Sequence, residues 1–510
     1  MNVASLFEKC AQRYGAQIAL RDLASGETLD FAALYRALGQ VALELQAAGV
    51  ERGERVALLG GAEADYLVCD YGIMAAGRVR VPLDPSLSSA EQAAQLRDSG
   101  TRLLICSPAF ASRAAELVQL VEGLRVIDPA TARRIAGSVH GSHEFPAGDE
   151  LASLSYTGGT TGGPKAVMVT HGSLTAAVQN IIGARGMGPG DVMLNVRPAW
   201  PIAAIVVLAH LAAGGTVLMA EKFEPTTFME LLETHRVAAT SLVPTQLARV
   251  MSETDPRSYD LSQLRAIDVG AAAIPPELFT RVLDVFGPRV GIIYGLTEAS
   301  WSCYQPPSAF AVGAEQRARR MRNVGRAPFG VEVVVRSQEG TPLACGEEGE
   351  ITIRGSHVAR GYWRRPEADA AAFRNGWFHT GDLGSIDAEG YVSITGRIKE
   401  LIRTGGKSVV PAEVEAALRA HPTIADAAVL GLPDAEWGEI VAAAVVLHAN
   451  GVANDTSHGT PTERQLIDWC RERLSSFKKP RRIFFLSEIP RSHYGKVVRA
   501  RLLQLITQNS

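Results

Sequence analysis

The chain has 510 residues, with 51 lysines and arginines against 54 aspartates and glutamates, a net charge of −3. Its length predicts more than one domain, and its 46% hydrophobic content is ordinary for a globular protein. The charge balance excludes the basic footprint of a nucleic-acid-binding protein. The six cysteines are too scattered for a disulfide framework or a CxxC metal site, which favours a reducing cytoplasm.

Neither a signal peptide nor a membrane span is predicted. The N-terminal "MNVASLFEKCAQRYG" has no apolar core and carries mixed charge. The longest apolar run, "IAAIVVLAHLAA" (202–213), is too short to cross a bilayer and contains His210, so we expect a buried helix there. These features predict a cytoplasmic protein, and its size favours an enzyme.

Helix-period and strand-like segments alternate through the first 300 residues. The apolar spacing of 31–49 predicts a helix ending at Gly49. Short apolar runs at 55–60 and 101–106 predict buried parallel strands. The alternation continues with strands at 214–220 and 238–244 and helices at 228–237 and 277–287. Such alternation is typical of an α/β fold built from βαβ units.

The pattern changes twice in the rest of the chain. From about residue 323, the segments "VEVVVRS", "GEITIRG" and "GYVSITG" predict an antiparallel sheet or a small barrel. After residue 400, a helix at "PAEVEAALRAH", strands at "ADAAVLGLP" and "IVAAAVVLHA", and a helix at "ERQLIDWCRERLSSF" predict a separate α+β unit. We place the boundary near 396–400.

The segment "SYTGGTTGGPK" (155–165) has the composition of a phosphate-binding loop but is not a Walker loop. Pro164 stands where the Walker pattern requires lysine, and Ala166 follows Lys165 where it requires a hydroxyl. Threonine hydroxyls, glycine amides and one lysine still suit an anion; the residues are Thr157, Gly158, Gly159, Thr160, Thr161, Gly162 and Lys165. We expect a loop between the strand "SLSY" and the helix "HGSLTAAVQNII". The alternative is a flexible turn without a ligand.

Six motifs in order give the chain its family resemblance. "YTGGTTGGPKAV" resembles the phosphate loop of the adenylate-forming superfamily, which comprises acyl-CoA synthetases, adenylation domains and luciferases. The other motifs are "IIYGLTEAS" (292–300), "NVGRAPFGVEVVV" (323–335), "GEITIRGSHVARGYWRRPE" (349–367), the stretch from "GWFHTGDLG" to "PAEVE" (376–415), and "PRSHYGKVVRARL" (490–502). Gly158 replaces a common serine and Ala166 a common glycine, both with small residues.

The resemblance implies a fold and a two-step reaction. The fold is α/β: an N-terminal domain (1–398) with two βαβ-type sheets and a small antiparallel β-barrel, and a mobile α+β C-terminal domain (399–510). A carboxylate attacks the α-phosphate of ATP in the presence of Mg²⁺, giving an acyl-adenylate and pyrophosphate, and a thiol then displaces AMP. The first step joins two anions, so neutralisation of charge must carry much of the catalysis.

The resemblance also assigns residues to the nucleotide. The 157–165 loop would hold the β- and γ-phosphates, Thr297 would bind phosphate, and Glu298 would ligate Mg²⁺. The adenine would lie between Tyr294 with Gly295 and the backbone of Gly270, Ala271 and Ala272. Asp382 would accept hydrogen bonds from the ribose hydroxyls, Arg397 would contact ribose or phosphate, and Ile394 would pack nearby. A plain Asp382–Arg397 salt bridge is the alternative.

Three further roles follow from the C-terminal motifs. Lys496 matches the family's catalytic lysine, which would bridge the substrate carboxylate and the α-phosphate. Lys399 falls at the hinge about which the small domain is thought to rotate. Gly405 and Gly406 would leave room for a pantetheine arm, and they also suit a tight turn.

The acid and the thiol are less defined by the sequence. The segment 197–203 has no aspartate to pair an α-ammonium, which disfavours an amino acid. Apolar residues predict a hydrophobic acid, whether aryl, alicyclic or fatty; they are Trp200, Ile202, Val206, Val243, Ala273, Ile274, Leu296 and Trp301. Trp200 stands where many relatives carry histidine, and core packing is its alternative.

Coenzyme A is the expected thiol, with a free carrier protein as the alternative. Two other classes of protein are alternatives. A luciferase-like oxygenase shares the first half-reaction, but nothing in the sequence favours it. An inactive nucleotide-binding scaffold is disfavoured because the chain keeps Lys496, Glu298, Asp382 and Arg397.

Overall fold

The structure is a computed structural model that describes residues 1–133, 145–157, 165–198, 203–448, 460–491 and 497–508. The chain divides into two compact units, one formed by 1–333 with 353–379 and the other by 334–352 with 380–510. None of the helices in the described ranges is long and apolar enough to cross a membrane. The predicted boundary at 398/399 stays a prediction.

The strands follow one another along the chain in two series. Up to residue 305 they are β1 (Ile18–Asp22), β2 (Thr28–Asp30), β3 (Arg55–Leu59), β4 (Val79–Pro82), β5 (Leu103–Cys106), β6 (Arg125–Ile127), β7 (Leu151–Thr157), β8 (Lys165–Thr170), β9 (Val192–Asn195), β10 (Thr216–Met219), β11 (Ala239–Leu242), β12 (Ala266–Val269), β13 (Val290–Tyr294) and β14 (Cys303–Gln305). The later strands are β15 (Val331–Arg336), β16 (Gly349–Gly355), β17 (Phe373–Arg374), β18 (Trp377–Ile386), β19 (Val392–Arg397), β20 (Ile402–Thr404), β21 (Lys407–Val409), β22 (Ile424–Asp434), β23 (Gly438–Leu447) and β24 (Arg482–Phe485).

The helices occupy most of the intervals between these strands. They are α1 (Val3–Tyr14), α2 (Phe31–Ala47), α3 (Ala64–Ala75), α4 (Ser89–Ser99), α5 (Ala111–Leu120), α6 (Pro129–Ala132), α7 (His171–Arg185), α8 (Ala203–Ala212), α9 (Pro225–Thr234), α10 (Pro244–Glu253), α11 (Pro276–Phe286), α12 (Ala314–Arg320), α13 (Pro366–Ala372), α14 (Pro411–Arg419), α15 (Glu463–Arg473) and α16 (Arg499–Gln508). Short 3₁₀ turns lie at Pro108–Phe110, Pro256–Ser258, Pro307–Phe310 and Ile398–Glu400.

Two largely parallel sheets form the first unit, as the alternating pattern predicts. One has the strand order β6-β5-β3-β4-β7-β8, and the other β14-β13-β12-β11-β9-β10-β1-β2. Within these sheets, β7 pairs antiparallel with β8, β1 with β2, and β13 with β14. The run that contains His210 forms the buried helix α8, as expected.

Strand β8 departs from the sequence prediction. The phosphate loop was expected to lead from a strand directly into a helix. Instead, residues 165–170 form a second strand, paired antiparallel with β7, before α7 begins at His171. Ala166 and Val167 are fully buried, so the apolar side chains of "AVMV" justify a strand there. Strands β7 and β8, called the phosphate hairpin below, therefore form an antiparallel pair on either side of the loop.

Strands β15 to β19 form the expected antiparallel sheet. Neighbouring strands run in the order β15-β16-β18-β17, and β19 also pairs with β18. Strands β17, β18 and β19 are joined by antiparallel ladders. Asp382 and Arg397 are opposite partners in the β18–β19 ladder.

The sheet at the C-terminal end has apolar faces on both sides. Its order is β21-β20-β23-β22, with β24 parallel to β23. Successive residues of β22 and β23 alternate between two hydrophobic clusters, as the two-residue period of a strand requires. One cluster includes Val414 and Leu466 from α14 and α15, and the other includes Leu502 and Ile506 from α16. Helices on both faces confirm the α+β unit.

Candidate active site

The predicted nucleotide and acid residues of the first unit follow strands that end at one edge of a sheet. Strands β9, β11, β12 and β13 run parallel as neighbours. Val243 follows β11, Gly270 follows β12, and Tyr294 is the last residue of β13. Parallel strands bring their carboxyl ends to a common edge, where open α/β sheets bind ligands. The fold therefore brings these segments to one edge of the sheet, and their roles stay a prediction.

The backbone after β12 is shaped for close approach. A Cβ on Gly270 would lie 3.2 Å from the Cβ of Ile293 on the neighbouring strand, so a side chain is disfavoured there. Ala271 has a φ of +71°, in the left-handed region. Ala271, Ala272 and Ala273 are exposed, which leaves their main chain accessible to a ligand.

The segment that carries Thr297 and Glu298 is a tight loop. The backbone amides of Leu296 and Ala299 each donate to the other residue's carbonyl, at 3.1 and 3.2 Å. A Cβ on Gly295 would lie 2.5 Å from the backbone nitrogen of Trp301, so glycine is required. Trp301 itself has a φ of +60°, a strained value for a bulky residue that often marks a functional site.

The phosphate hairpin is defined at both of its ends. Thr157, the last residue of β7, is the register partner of Lys165, the first residue of β8. The Thr157 hydroxyl lies 3.4 Å from the Lys165 carbonyl oxygen. The predicted phosphate ligands Gly158, Gly159, Thr160, Thr161 and Gly162 lie outside the described residues. The ammonium of Lys165 forms no ion pair with any described residue, so its charge is available to an anion.

Glu298 and Lys165 are linked through one tyrosine. The hydroxyl of Tyr362 donates to Oε1 of Glu298 at 2.8 Å, and Nζ of Lys165 lies 5.5 Å from the centre of the Tyr362 ring. The segment 358–363 makes this link, because Val358 bridges to Ala299 and Tyr362 bridges to Val167 of β8. Burial, with the negative charge of Glu298, raises the pKa of Tyr362, which keeps its hydroxyl a proton donor.

The environment of Glu298 suits a divalent cation. The residue is only 9% exposed, and it forms no ion pair with the described part of the chain. A buried carboxylate without a cation is costly, so a cationic ligand would offset that cost. The described residues contain no cluster of three or more His, Cys, Asp or Glu side chains. One carboxylate still fits Mg²⁺, which usually takes one or two carboxylates together with substrate phosphates.

The predicted ribose residues lie in the second unit. Nε of Arg397 is 2.7 Å from Oδ1 of Asp382, and the Asp382 side chain is 4% exposed. The salt bridge considered as an alternative is therefore present. It holds the carboxylate in a fixed orientation, and ribose binding stays a prediction. Ile394 is half-buried on β19, opposite Gly384.

The two predicted tunnel glycines form the turn of the β20–β21 hairpin. Gly405 has a φ of +55° and Gly406 a φ of +74°, as hairpin turns of this length favour. A Cβ on Gly405 would lie 2.7 Å from Cε3 of Trp437, whereas a Cβ on Gly406 would meet nothing within 4 Å. Beside the turn lies a cavity of about 120 Å³ lined by Thr404, Gly405, Lys407, Trp437, Ser476, Phe477 and Arg481.

The predicted acid pocket is described in part. Trp301 is 3% exposed, with its ring centre 5.2 Å from that of Tyr304, and Val243 is also buried. Leu296 is half-buried, and Ala273 is exposed. Val206 is buried in α8, and Ile274 packs against a core cluster. The predicted pocket residues Trp200 and Ile202 lie outside the described residues, as does the catalytic candidate Lys496. Lys399 lies exposed in the 3₁₀ turn Ile398–Glu400.

Sequence reasoning missed Tyr362 and the cavity. Tyr362 stands inside the quoted motif "GEITIRGSHVARGYWRRPE", so the motif gave its location but no role. In the cavity, a positively charged side chain lies over the face of each aromatic ring. The Arg481 guanidinium is 4.0 Å from the centre of the Trp437 ring, and Lys407 Nζ is 4.5 Å from that of Phe477. Because these residues are far apart in sequence, no local pattern predicts that they meet.

Comparison with known proteins agrees with this geometry. A family model described as AMP-binding enzyme matches residues 7–363, and one described as AMP-binding enzyme C-terminal domain matches 413–496. A feruloyl-CoA synthase of Amycolatopsis sp is 35% identical over 477 residues, 93% of each chain. A long-chain-fatty-acid–CoA ligase of Mycobacterium tuberculosis is 32% identical over 466 residues, 89% of this chain and 88% of its own. The solved structure of an amide bond synthetase from Marinactinospora thermotolerans matches with a TM-score of 0.89 at 27% identity, covering 99% of both chains.

These similarities confirm the predicted fold, enzyme class and cofactors. Adenylate-forming coenzyme A ligases use ATP and Mg²⁺, with coenzyme A as the thiol substrate. The family models together cover most of the chain, and both curated relatives are acid–thiol ligases. With the phosphate hairpin and the Glu298 loop held together in one unit, the chain belongs to the AMP-binding enzyme family and is an acid–thiol ligase.

Proposed function

We propose that this enzyme activates a hydrophobic carboxylic acid as its acyl-adenylate and transfers the acyl group to coenzyme A. The observation that carries the proposal is the link from Lys165 through Tyr362 to Glu298. It sets around one tyrosine a cation and a carboxylate that form no ion pair with any described residue. A phosphate chain with a divalent cation needs both charges in one place.

The phosphate residues would act by neutralising charge. Lys165 and the Thr157 end of the hairpin hold the β- and γ-phosphates, which leave as pyrophosphate. Thr297 would donate a hydrogen bond from its hydroxyl to phosphate. Glu298 would hold Mg²⁺, which would supply additional positive charge at the phosphates. Lys496 holds the attacking carboxylate and the α-phosphate together. The bond from the carboxylate oxygen to the α-phosphorus forms as the bond from that phosphorus to the pyrophosphate oxygen breaks.

The nucleoside would be held by main chain and aromatic surface. The exposed backbone of Ala271 and Ala272 and the ring of Tyr294 flank the adenine, with Gly270 and Gly295 permitting close approach. Asp382 accepts hydrogen bonds from the ribose hydroxyls, and its 2.7 Å pairing with Arg397 holds it in place. Ile394 packs beside the nucleoside.

An aryl acid is the favoured substrate class. The buried indole of Trp301, tilted by 31° against the Tyr304 ring, would offer an aromatic wall next to the Glu298 loop. The similarity to a feruloyl-CoA synthase supports an aromatic acid with a short unsaturated chain. The similarity to a long-chain-fatty-acid–CoA ligase makes alkyl acids the class to compare with it.

Coenzyme A is the favoured acceptor because of the cavity beside Gly405. Two aromatic rings, Trp437 and Phe477, lie there with two cations, Arg481 and Lys407. Flat rings suit an adenine, and cations suit the phosphates of coenzyme A. Gly405 lets the Trp437 ring pack against the turn, since a Cβ there would lie 2.7 Å from Cε3 of that ring, and Gly406 has open space beside it for a narrow pantetheine arm.

The test is pyrophosphate release across a panel of acids, each with and without coenzyme A. The panel contains hydroxycinnamates, benzoates, alicyclic acids and fatty acids of several lengths. We expect a single stoichiometric burst with the right acid alone and continuous turnover when coenzyme A is added. Pyrophosphate release that no acid stimulates would refute the proposal, and hydroxycinnamates no better than fatty acids would refute the aryl preference.

One second candidate has a specific observation in its favour. The fold match to an amide bond synthetase suggests an amine as the acceptor of the acyl group. Adding an amine in place of coenzyme A to the same assay separates the two. Turnover that an amine supports and coenzyme A does not would replace the thioester proposal with amide formation.

A further inference from the structure

We propose that Tyr362 is the positioning residue that orients the Glu298 carboxylate toward the metal and couples it to Lys165 of the phosphate hairpin. This inference rests on the proposed function, because it concerns the same site. Tyr362 touches neither the acid nor the nucleotide in this proposal. It acts through the two residues on either side of it.

The first contact fixes one oxygen of Glu298. The Tyr362 hydroxyl donates to Oε1 at 2.8 Å, and Oε2 has no hydrogen-bond partner among the described residues. A glutamate side chain has three rotatable bonds, so an unanchored carboxylate would sample several orientations. Anchoring Oε1 holds the carboxylate in one orientation and leaves Oε2 for a cation.

The second contact places Lys165 over the same ring. Nζ of Lys165 is 5.5 Å from the ring centre, and its ammonium has no ion-pair partner among the described residues. A cation over a tyrosine ring is held by the negative face of the ring. One side chain therefore contacts both charged groups, the hydroxyl holding the carboxylate and the ring holding the lysine.

Tyr362 is itself held rigidly. Its backbone bridges to Val167, next but one to Lys165 on β8, and its backbone amide donates to Oδ1 of Asp369 at 2.5 Å. Gly361 has a φ of +147°, and a Cβ there would lie 2.7 Å from the same Asp369 oxygen. The Tyr362 ring also meets that of Phe373, with centres 5.6 Å apart, and the residue is 8% exposed. A well-packed tyrosine with a fixed backbone can orient a partner, whereas a mobile one cannot.

We expect the loss of Mg²⁺ affinity to have the size seen for other residues that orient metal ligands. Removing such a hydrogen-bond partner typically lowers metal affinity by about 10- to 100-fold. Tyr362→Phe removes the hydroxyl and keeps the ring, so it separates the Glu298 contact from the Lys165 contact. Tyr362→Leu removes both contacts.

The experiment measures binding of a non-hydrolysable ATP analogue as Mg²⁺ is varied, on the full chain. For Tyr362→Phe we expect the Mg²⁺ concentration at half-saturation to rise by about 10-fold, with wild-type analogue affinity recovered at saturating Mg²⁺. For Tyr362→Leu we expect affinity to stay low even at saturating Mg²⁺, because the lysine contact is lost as well.

Tyr156→Phe is the matched control. The Tyr156 hydroxyl also lies 2.8 Å from a carboxylate oxygen, Oδ2 of Asp98, but that carboxylate has no predicted role. Its removal should leave the Mg²⁺ half-saturation unchanged. An unchanged Mg²⁺ half-saturation in Tyr362→Phe, or an equal rise in Tyr156→Phe, would overturn the proposal. Because the assay needs no acid and no turnover, it stands apart from the pyrophosphate assay, and failure of either is recognised separately.

Discussion

Single side chains in this enzyme carry charges that no other described residue neutralises. Glu298 is 9% exposed, accepts a hydrogen bond from Tyr362, and has no cationic partner among the described residues. A buried carboxylate of this kind lowers the stability of the unliganded protein, and binding of a cation offsets that loss. Residues selected for function often carry this kind of cost.

Glu298→Gln should therefore separate stability from activity. The amide keeps an acceptor for Tyr362 but removes the buried charge, so we expect the free energy of unfolding to be unchanged or about 1 kcal/mol higher. Acid-dependent pyrophosphate release should fall by about 100-fold or more because the charge that holds Mg²⁺ is gone. Chemical denaturation and the pyrophosphate assay measure the two effects. A large loss of stability with activity retained would contradict the assignment.

The burial of His210 predicts how the stability of the protein depends on pH. It is fully buried in α8, with Nε2 3.0 Å from the Asp191 carbonyl oxygen, and burial lowers its pKa to about 4. In the unfolded chain the pKa is about 6.5, so between pH 6.5 and 4 only the unfolded state binds the proton. Stability from this residue is therefore present above pH 6.5 and is lost as the pH falls towards 4.

His210→Gln should flatten that acid dependence. We expect the free energy of unfolding to fall less steeply below pH 6.5 in the variant, by at most about 1.4 kcal/mol per pH unit. Denaturant titrations at pH 7, 6, 5 and 4.5 give the two slopes. The control is the range at pH 7 and above, where wild type and His210→Gln should show the same slope. Equal slopes in wild type and His210→Gln would refute the role of burial.

At the scale of elements, the sequence predicts what repeats locally and misses what pairs over long distances. The apolar runs at 55–60 and 101–106 became β3 and β5, because burial on both faces leaves a recognisable composition. Strand β8 was missed because its apolar residues follow a glycine-rich loop directly. The bridge from Val167 to Tyr362 spans 195 residues, and no local periodicity records such a pairing.

Two alanine variants in the turn of the β20–β21 hairpin separate the steric effect of a Cβ from the effect of backbone strain. Gly405 and Gly406 both have positive φ, so alanine at either position is strained, but only a Cβ at Gly405 would strike Trp437, at 2.7 Å. Gly405→Ala should thus raise the KM for coenzyme A well above that of Gly406→Ala, while both variants keep acid-dependent pyrophosphate release. Steady-state assays with varied coenzyme A measure this. Equal effects of the two variants would show that strain alone matters.

At the scale of the whole molecule, the proposed reaction needs two arrangements of one chain. Adenylation brings anions together, which calls for Lys496, whereas thioester formation calls for the Gly405 hairpin. We therefore expect Lys496 and the Gly405 hairpin to act in successive steps rather than at the same time. We propose Lys399 as the pivot, because it lies exposed in the turn Ile398–Glu400, where a change of φ and ψ would be tolerated.

Lys399→Pro and Lys496→Ala should then fail in opposite half-reactions. Proline fixes φ near −65° and removes the amide, so Lys399→Pro should make the adenylate at near wild-type rate but lose thioester formation. Lys496→Ala should nearly abolish adenylate formation, yet convert a supplied acyl-adenylate to its thioester with a smaller loss. Single-turnover assays of each half-reaction, started with acid and ATP or with synthetic adenylate, measure all four rates. If Lys399→Pro turned over fully, residue 399 would not be the pivot. If Lys496→Ala lost both half-reactions equally, the lysine would be needed for the structure of the site rather than for neutralising the two anions as they react.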